Sequence, residues 1–180
     1  MNRGFPFGAK LGSAYAMLLL LALLVACRAP SPDSATLHLG QRTKTSGCQA
    51  HAGLPDGACT PGAVFSTATR AQICVAGYSK NVRNVPDSVK AQAYSEYGIK
   101  SHRTGQYEVD HLISLELGGS NDLANLWPEA TNPRPGFHEK DRVENYLHDQ
   151  VCSGAMPLQQ AQQQIATNWL SVYQKLPSPR

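Results

Sequence analysis

Three side chains near the middle of the chain have the types and spacing for hydrolytic chemistry. Asp110 is followed at once by His111, and His138 comes later, ahead of a helical stretch. An aspartate beside a histidine can supply a hard ligand for a divalent cation and a base from one strand end. Phosphodiester hydrolysis calls for that combination, with a base to activate water, a cation at the departing oxygen and a rigid frame for both. Neighbouring strand residues point to opposite faces, so the pair serves one site only where the strand bends or ends. The glycine-containing loop that begins at Gly118-Gly119-Ser120 permits such a departure. A second ligand must arrive from elsewhere, and His138 enters at the first turn of the next helix. The amino end of that helix, with its unsatisfied N–H groups and partial positive charge, is a natural seat for phosphate.

The elements that must position these groups follow from periodicity and turn residues. Gln106 to Ile113 alternates as a strand, and Gly118 to Asp122 is a polar turn. Asn125-Leu126-Trp127-Pro128 is a second extended piece that Pro128 ends. After a loop with Pro133, Pro135 and Gly136, residues Phe137 to Val151 read as a helix with Phe137, Val143, Tyr146, Leu147 and Val151 as its apolar stripe. Gly154 stops it, and Pro157 opens a last helix carrying Leu158, Ala161, Ile165, Trp169 and Val172. Upstream, Gln72 to Ala76 reads as a short β-like run, and Pro86 to Tyr97 as a helix closed by Gly98. Trp127 and Trp169 read as core, while His38, His51 and His148 carry no assignment.

The ordered set Asp110-His111, Gly118-Gly119, Asn125-Leu126-Trp127-Pro128 and His138-Glu139-Lys140 resembles the HNH, or His-Me finger (ββα-metal), endonucleases over residues 104–152. The resemblance implies that His111 is the general base, Asn125 braces the loop holding it, and Asp110 and His138 bind one divalent metal. That metal would be Mg²⁺ in the first instance, with Mn²⁺, Zn²⁺ or Ni²⁺ as alternatives. The stretch before His138 is longer than in the compact version of the family and holds three prolines, so Asp141 and Asn145 stand as substitutes on the same helix. Glu108 shares a strand face with Asp110 as an outer ligand, and Arg103 is a candidate phosphate contact. The cysteine pairs that bind zinc in many relatives are absent.

The amino terminus reads as an address. Arg3 and Lys10 precede an apolar run of 13 residues from Ala14 to Ala26, short for a bilayer-spanning helix, which needs ~20, and suited to a signal peptide over 1–26. Leu24-Val25-Ala26-Cys27 resembles the bacterial lipobox, which implies acylation of Cys27 and membrane attachment. Residues 27–47, rich in Pro, Ser and Thr, read as a tether to a folded domain over 48–180. Four further cysteines in an exported chain suit two disulfides in one of three connectivities, and the short Gly- and Pro-containing loop favours Cys48–Cys59 with Cys74–Cys152.

The 180 residues are 42% hydrophobic and 16% charged, enough apolar material for one core. From Cys27 onward the chain holds 14 basic and 13 acidic residues, which excludes a histone-like binder with a large positive field. The most basic stretch is 70–103, with Arg70, Lys80, Arg83, Lys90, Lys100 and Arg103. The expectation is therefore a small, disulfide-tied α+β domain containing a ββα-metal unit and a C-terminal helix. Its expected activity is metal-dependent hydrolysis of DNA or RNA in the cell envelope. The alternative is an envelope lipoprotein that keeps the scaffold as a binding or structural module, since a fold does not dictate activity.

Overall fold

The computed structural model describes residues 39–177. The expectations for the signal segment, for Cys27 and for the tether as far as His38 lie outside them.

The described chain is a mixed helical and two-stranded fold. Short helices α1 (Arg70–Ile73) and α2 (Tyr78–Val82) precede α3 (Asp87–Glu96). A hairpin of β1 (Tyr107–His111) and β2 (Leu126–Ala130) follows, with single 3₁₀ turns at Leu115–Leu117 and Leu123–Asn125 in its connection. Helices α4 (Phe137–Ser153) and α5 (Leu158–Tyr173) complete it. The two α5 ends differ in kind: Pro157 precedes its first turn, and it kinks at Asn168, whose Oδ1 accepts from the Ser171 N–H at 3.1 Å and caps the final turns.

The core lies where α4 meets α5. Val143, Leu147 and Val151 on one helix pack with Ala161, Ile165, Trp169 and Val172 on the other, and Ile73, Ile113 and Leu117 close the cluster. Tyr146 does not belong to this stripe. It is exposed, and Lys140 instead occupies the buried face one turn before Val143 and Glu144. Both tryptophans are buried as expected, and Trp169 Nε1 donates to Gly53 O at 3.0 Å.

The strands are antiparallel, with Asp110 opposite Trp127 and Val109 opposite Pro128. Pro128 does not end β2, which continues to Ala130. The reason is visible in the ladder: Leu112 N–H donates to Asn125 O at 2.7 Å and Thr131 N–H to Gln106 O at 3.0 Å. With hydrogen-bonded pairs at those positions, Pro128 falls on an intervening pair whose N–H would point away from β1. Gly136 makes the turn into α4, because a Cβ there would sit 2.3 Å from Ala130 O.

Residues 70–73 are helical and 74–77 form a turn, where a short β-like run over Gln72–Ala76 was expected. Gln72 Oε1 accepts from both the N–H and the hydroxyl of Thr69, an N-terminal signal that outweighs the alternation of Ile73 with Val75. Val75 is exposed. Both expected disulfides are present, Cys48–Cys59 and Cys74–Cys152. Residues 39–47, read from sequence as the end of the tether, are mostly exposed and bond to the chain that follows. Gly40 N–H donates to Gly62 O, Thr43 N–H to Ala58 O, and Arg42 pairs with the buried Glu96.

Candidate active site

The loop after β1 is built around Asn125. Its side chain is fully buried, and its amide serves four backbone groups. Oδ1 accepts from Ile113 N–H at 2.8 Å and Ala63 N–H at 3.3 Å, while Nδ2 donates to Ile113 O and Ser120 O, both at 2.9 Å. Gly119 lets the loop close onto this clamp, since a Cβ there would lie 1.8 Å from Ile113 O. Gly118 adopts φ +75°, which glycine accommodates without strain. A segment of the N-terminal half lines the other side: Phe65 N–H donates to Gly118 O and Ser120 N–H to Ala63 O, each at 2.9 Å. Sequence reasoning did not find this partner, for contacts so distant leave no local pattern.

His111 ends β1 and is 1% exposed. Its Nε2 lies 3.1 Å from Asn121 Oδ1. Asn121 Nδ2 donates to Val82 O at 2.8 Å and Asn84 N–H donates to the same Oδ1 at 3.2 Å, which orients the amide with its oxygen toward the imidazole. Nε2 therefore carries the proton. Nδ1 is buried and has no hydrogen-bond partner among the described residues. Burial pushes the imidazole pKa down to about 4, against the opposing effects of Asn121 and Asp110. At neutral pH the ring is uncharged and its Nδ1 lone pair is free.

Asp110 turns the other way, toward α4. Its Oδ1 accepts from the His111 N–H at 2.8 Å, and its Oδ2 accepts from Lys140 Nζ at 2.7 Å. Lys140 is fully buried and donates also to His111 O and to Glu144, with Glu129 Oε2 at 3.9 Å. Burial alone would raise the Asp110 carboxyl, but the Lys140 charge and the hydrogen bonds hold it below the usual range. Burial likewise opposes the ammonium, yet Asp110, Glu144 and Glu129 together keep Lys140 above an ordinary lysine. Glu129 is pushed well up by burial, which the Lys140 charge does not overcome. Burial raises Glu144 to about 7, even against Lys140.

An acidic rim lies outside this buried cluster. Burial raises the Glu108 carboxyl first, and the charges of Asp110 and Asp141 add to it. Asp141 is raised by its own burial and then by Asp110. Arg83 sends its charge toward both Glu108 and His111.

His138 lies on the exposed side of α4 with its ring 4.3 Å from that of Phe137. Among the described residues, no trio of His, Cys, Asp or Glu ligand atoms within 4.8 Å includes His138 or Asp110. Asn145 is exposed and bonds back to Asp141 O within its helix. Arg103 is exposed at the far end of the hairpin from His111, beside Gln106. The arrangement joins Asp110, His111 and Asn125 through one strand end and its loop, but the Asp110 carboxylate faces Lys140 while the His111 ring faces Asn121. Glu108 and Asp141 lie within electrostatic reach of Asp110, and His138 within reach of Asp141, whereas Asn145 and Arg103 lie outside. Lys140, Glu129, Glu144 and Asn121 were not foreseen. Lys140–Glu144 reads as an ordinary i,i+4 surface pair, and nothing local marks it as buried.

Glu108, Asp110 and Asp141 lie within electrostatic reach of one another, and among the described residues their oxygens form no trio close enough to hold an ion. In comparisons with protein-family models, with curated proteins and with solved structures, nothing matches this chain.

Proposed function

We propose that the chain is a metal-dependent endonuclease of the HNH, ββα-metal type, hydrolysing phosphodiester bonds of DNA or RNA. The observation that carries this reading is His111: a neutral imidazole with an unengaged Nδ1, fixed at a strand end by the Asn125 clamp and next in the chain to Asp110. Asp110 and Asp141 would hold a divalent cation, with Glu108 at the edge and His138 within electrostatic reach of Asp141. Such a cation, when bound, supplies charge stabilisation at the departing oxygen. His111 Nδ1 would take a proton from the attacking water, and the Nε2–H bond to Asn121 keeps the ring in the tautomer that leaves the Nδ1 lone pair unprotonated. Asn125 acts through the loop, so it is a positioning residue.

The two disulfides place the folded part in an oxidising environment. Among the described residues no helix is long and apolar enough to cross a membrane. Attachment through acylated Cys27 completes the proposal, with nucleic acid outside the cytoplasm as substrate.

One observation favours the second reading, a binding or structural module without hydrolysis. The Lys140 ammonium already neutralises Asp110, so the scaffold is electrostatically satisfied without metal. The two readings separate by incubating the full chain, in detergent, with plasmid and with RNA under Mg²⁺, Mn²⁺ or chelator. Cleavage that needs metal and vanishes in His111→Ala supports the nuclease. Absence of cleavage with every metal, in protein shown to be folded, overturns it and leaves the module.

A further inference from the structure

A different cluster lies across the α1–α4 contact, away from the hairpin. The Cys74 Sγ, Cys152 Sγ and His148 nitrogen lie within 4.8 Å of one another. His148 and Cys152 sit four residues apart on α4, so they share a helix face, and His148 Nε2 is 3.4 Å from Cys152 Sγ. Tetrahedral zinc bonds of the usual lengths, one to sulfur and one to nitrogen, put those two atoms about 3.5 Å apart. While the disulfide stands, its sulfurs are poor donors and the trio is no metal site.

We propose that Cys74, Cys152 and His148 form a thiol-gated site for a divalent transition cation of the zinc class, closed by the disulfide and opened when a dithiol reduces it. This inference is independent of the nuclease reading. Three further observations support it. First, contacts besides the disulfide join the two elements: Arg70 donates to Cys152 O at 2.7 Å, and Ile73, next to Cys74, is anchored in the core with Val151. His148 Nε2 lies 3.2 Å from Ile73 O, a hydrogen bond that a cation would replace. Second, Cys74 is exposed and open to attack, whereas Cys48 and Cys59 are buried at 4% and 0% exposure. Third, a cavity of about 90 Å³ lined by Cys74, His148, Tyr78 and Glu116 adjoins the cluster. It leaves a fourth position for water. Two thiolates and an imidazole select zinc-like cations over Mg²⁺.

A thiolate of the dithiol attacks Cys74 Sγ, and the Sγ–Sγ bond breaks with its electron pair on Cys152. The second thiolate of the reductant then displaces Cys74 and leaves as a cyclic disulfide. The protein gains two electrons and two protons. Cation binding displaces those two thiol protons, and the His148 proton moves from Nε2 to Nδ1 to free the ligating lone pair.

Co²⁺ added to the full chain, in detergent, tests this by absorption. After reduction, a single cobalt ion per chain with a thiolate-to-cobalt charge-transfer band is expected, and none in the oxidised protein. His148→Ala, which leaves both cysteines in place, weakens cobalt binding by roughly tenfold or more. The double variant Cys74→Ser, Cys152→Ser keeps Cys27, Cys48 and Cys59 and loses the band. Reduced wild-type protein that binds no cobalt overturns the proposal. So does a band that survives in the double variant, or unchanged affinity in His148→Ala.

Discussion

Replacing Asn125 by alanine tests whether one amide holds the loop behind the hairpin. The substitution strips four backbone groups of their partners: the N–H groups of Ile113 and Ala63 and the carbonyls of Ile113 and Ser120. An orphaned buried polar group costs ~1–3 kcal/mol. Even at the lower figure for each, the loss reaches about 4 kcal/mol, a large share of the ~5–15 kcal/mol that keeps a domain folded. Aspartate in the same place separates polar geometry from side-chain volume. It is nearly isosteric, but it turns a carboxylate oxygen toward the two carbonyls that Nδ2 now serves at 2.9 Å, at a position with no exposure. Asn125→Asp is therefore expected to be at least as damaging as Asn125→Ala. Urea unfolding followed by fluorescence reads this directly, since Trp127 and Trp169 are both buried. The midpoint should fall with the slope unchanged. A loss under about 1 kcal/mol in the alanine variant, or an aspartate variant as stable as wild type, refutes the clamp.

Other perturbations reach different parts of the molecule. Gly119→Ala drives a Cβ into Ile113 O, and its thermal midpoint should fall by several degrees, in line with ~1–3 kcal/mol of overpacking; an unchanged midpoint means the loop is slack. Lys140→Met leaves Asp110 and Glu144 without their buried counter-charge, so a loss of ~3–5 kcal/mol in denaturant titration is expected, and a neutral result shows that the carboxyls simply protonate. Burial holds the Tyr97 hydroxyl at about 12, with Thr60 Oγ1 at 2.8 Å. The unfolded chain ionises this group near its ordinary value of 10, so stability is intact below pH 10 and declines as pH rises toward 12, by about 2 kcal/mol after a discount for partial exposure. Tyr97→Phe should lack that part of the decline, and parallel pH curves for the two proteins exclude the assignment.

The order strand, loop, strand, helix over 107–151 was legible because each boundary is written locally. Alternation marks β1, Gly154 ends α4 at φ +85°, and Pro157 opens α5. Cysteine parity pointed to two disulfides, and the short loop between Cys48 and Cys59 favoured, among three possible connectivities, the pairing observed. The hidden parts depend on distance or on context. Asn121 meets His111 and Val82 across 10 and 39 residues, beyond any periodic signal. A lysine in a helix stripe reads as solvated, and only the fold shows that Lys140 faces three carboxyls. In the segment at 70–76 the signal was present in Thr69 and Gln72, but two β-branched residues at spacing two masked it.

The short run from Gly62 to Phe65 has a consequence for anyone dividing this chain into pieces. Gly62 N–H reaches Ala124 O at 2.8 Å, and its neighbours stitch onto Gly118, Ser120 and Asn125. A fragment trimmed to 104–152 would keep every motif residue yet discard the backbone that completes their enclosure, together with Cys74 and the whole of α5. The motif is thus not a transplantable cassette. It borrows its walls from sequence on either side, and inheritance or engineering has to move the whole unit together.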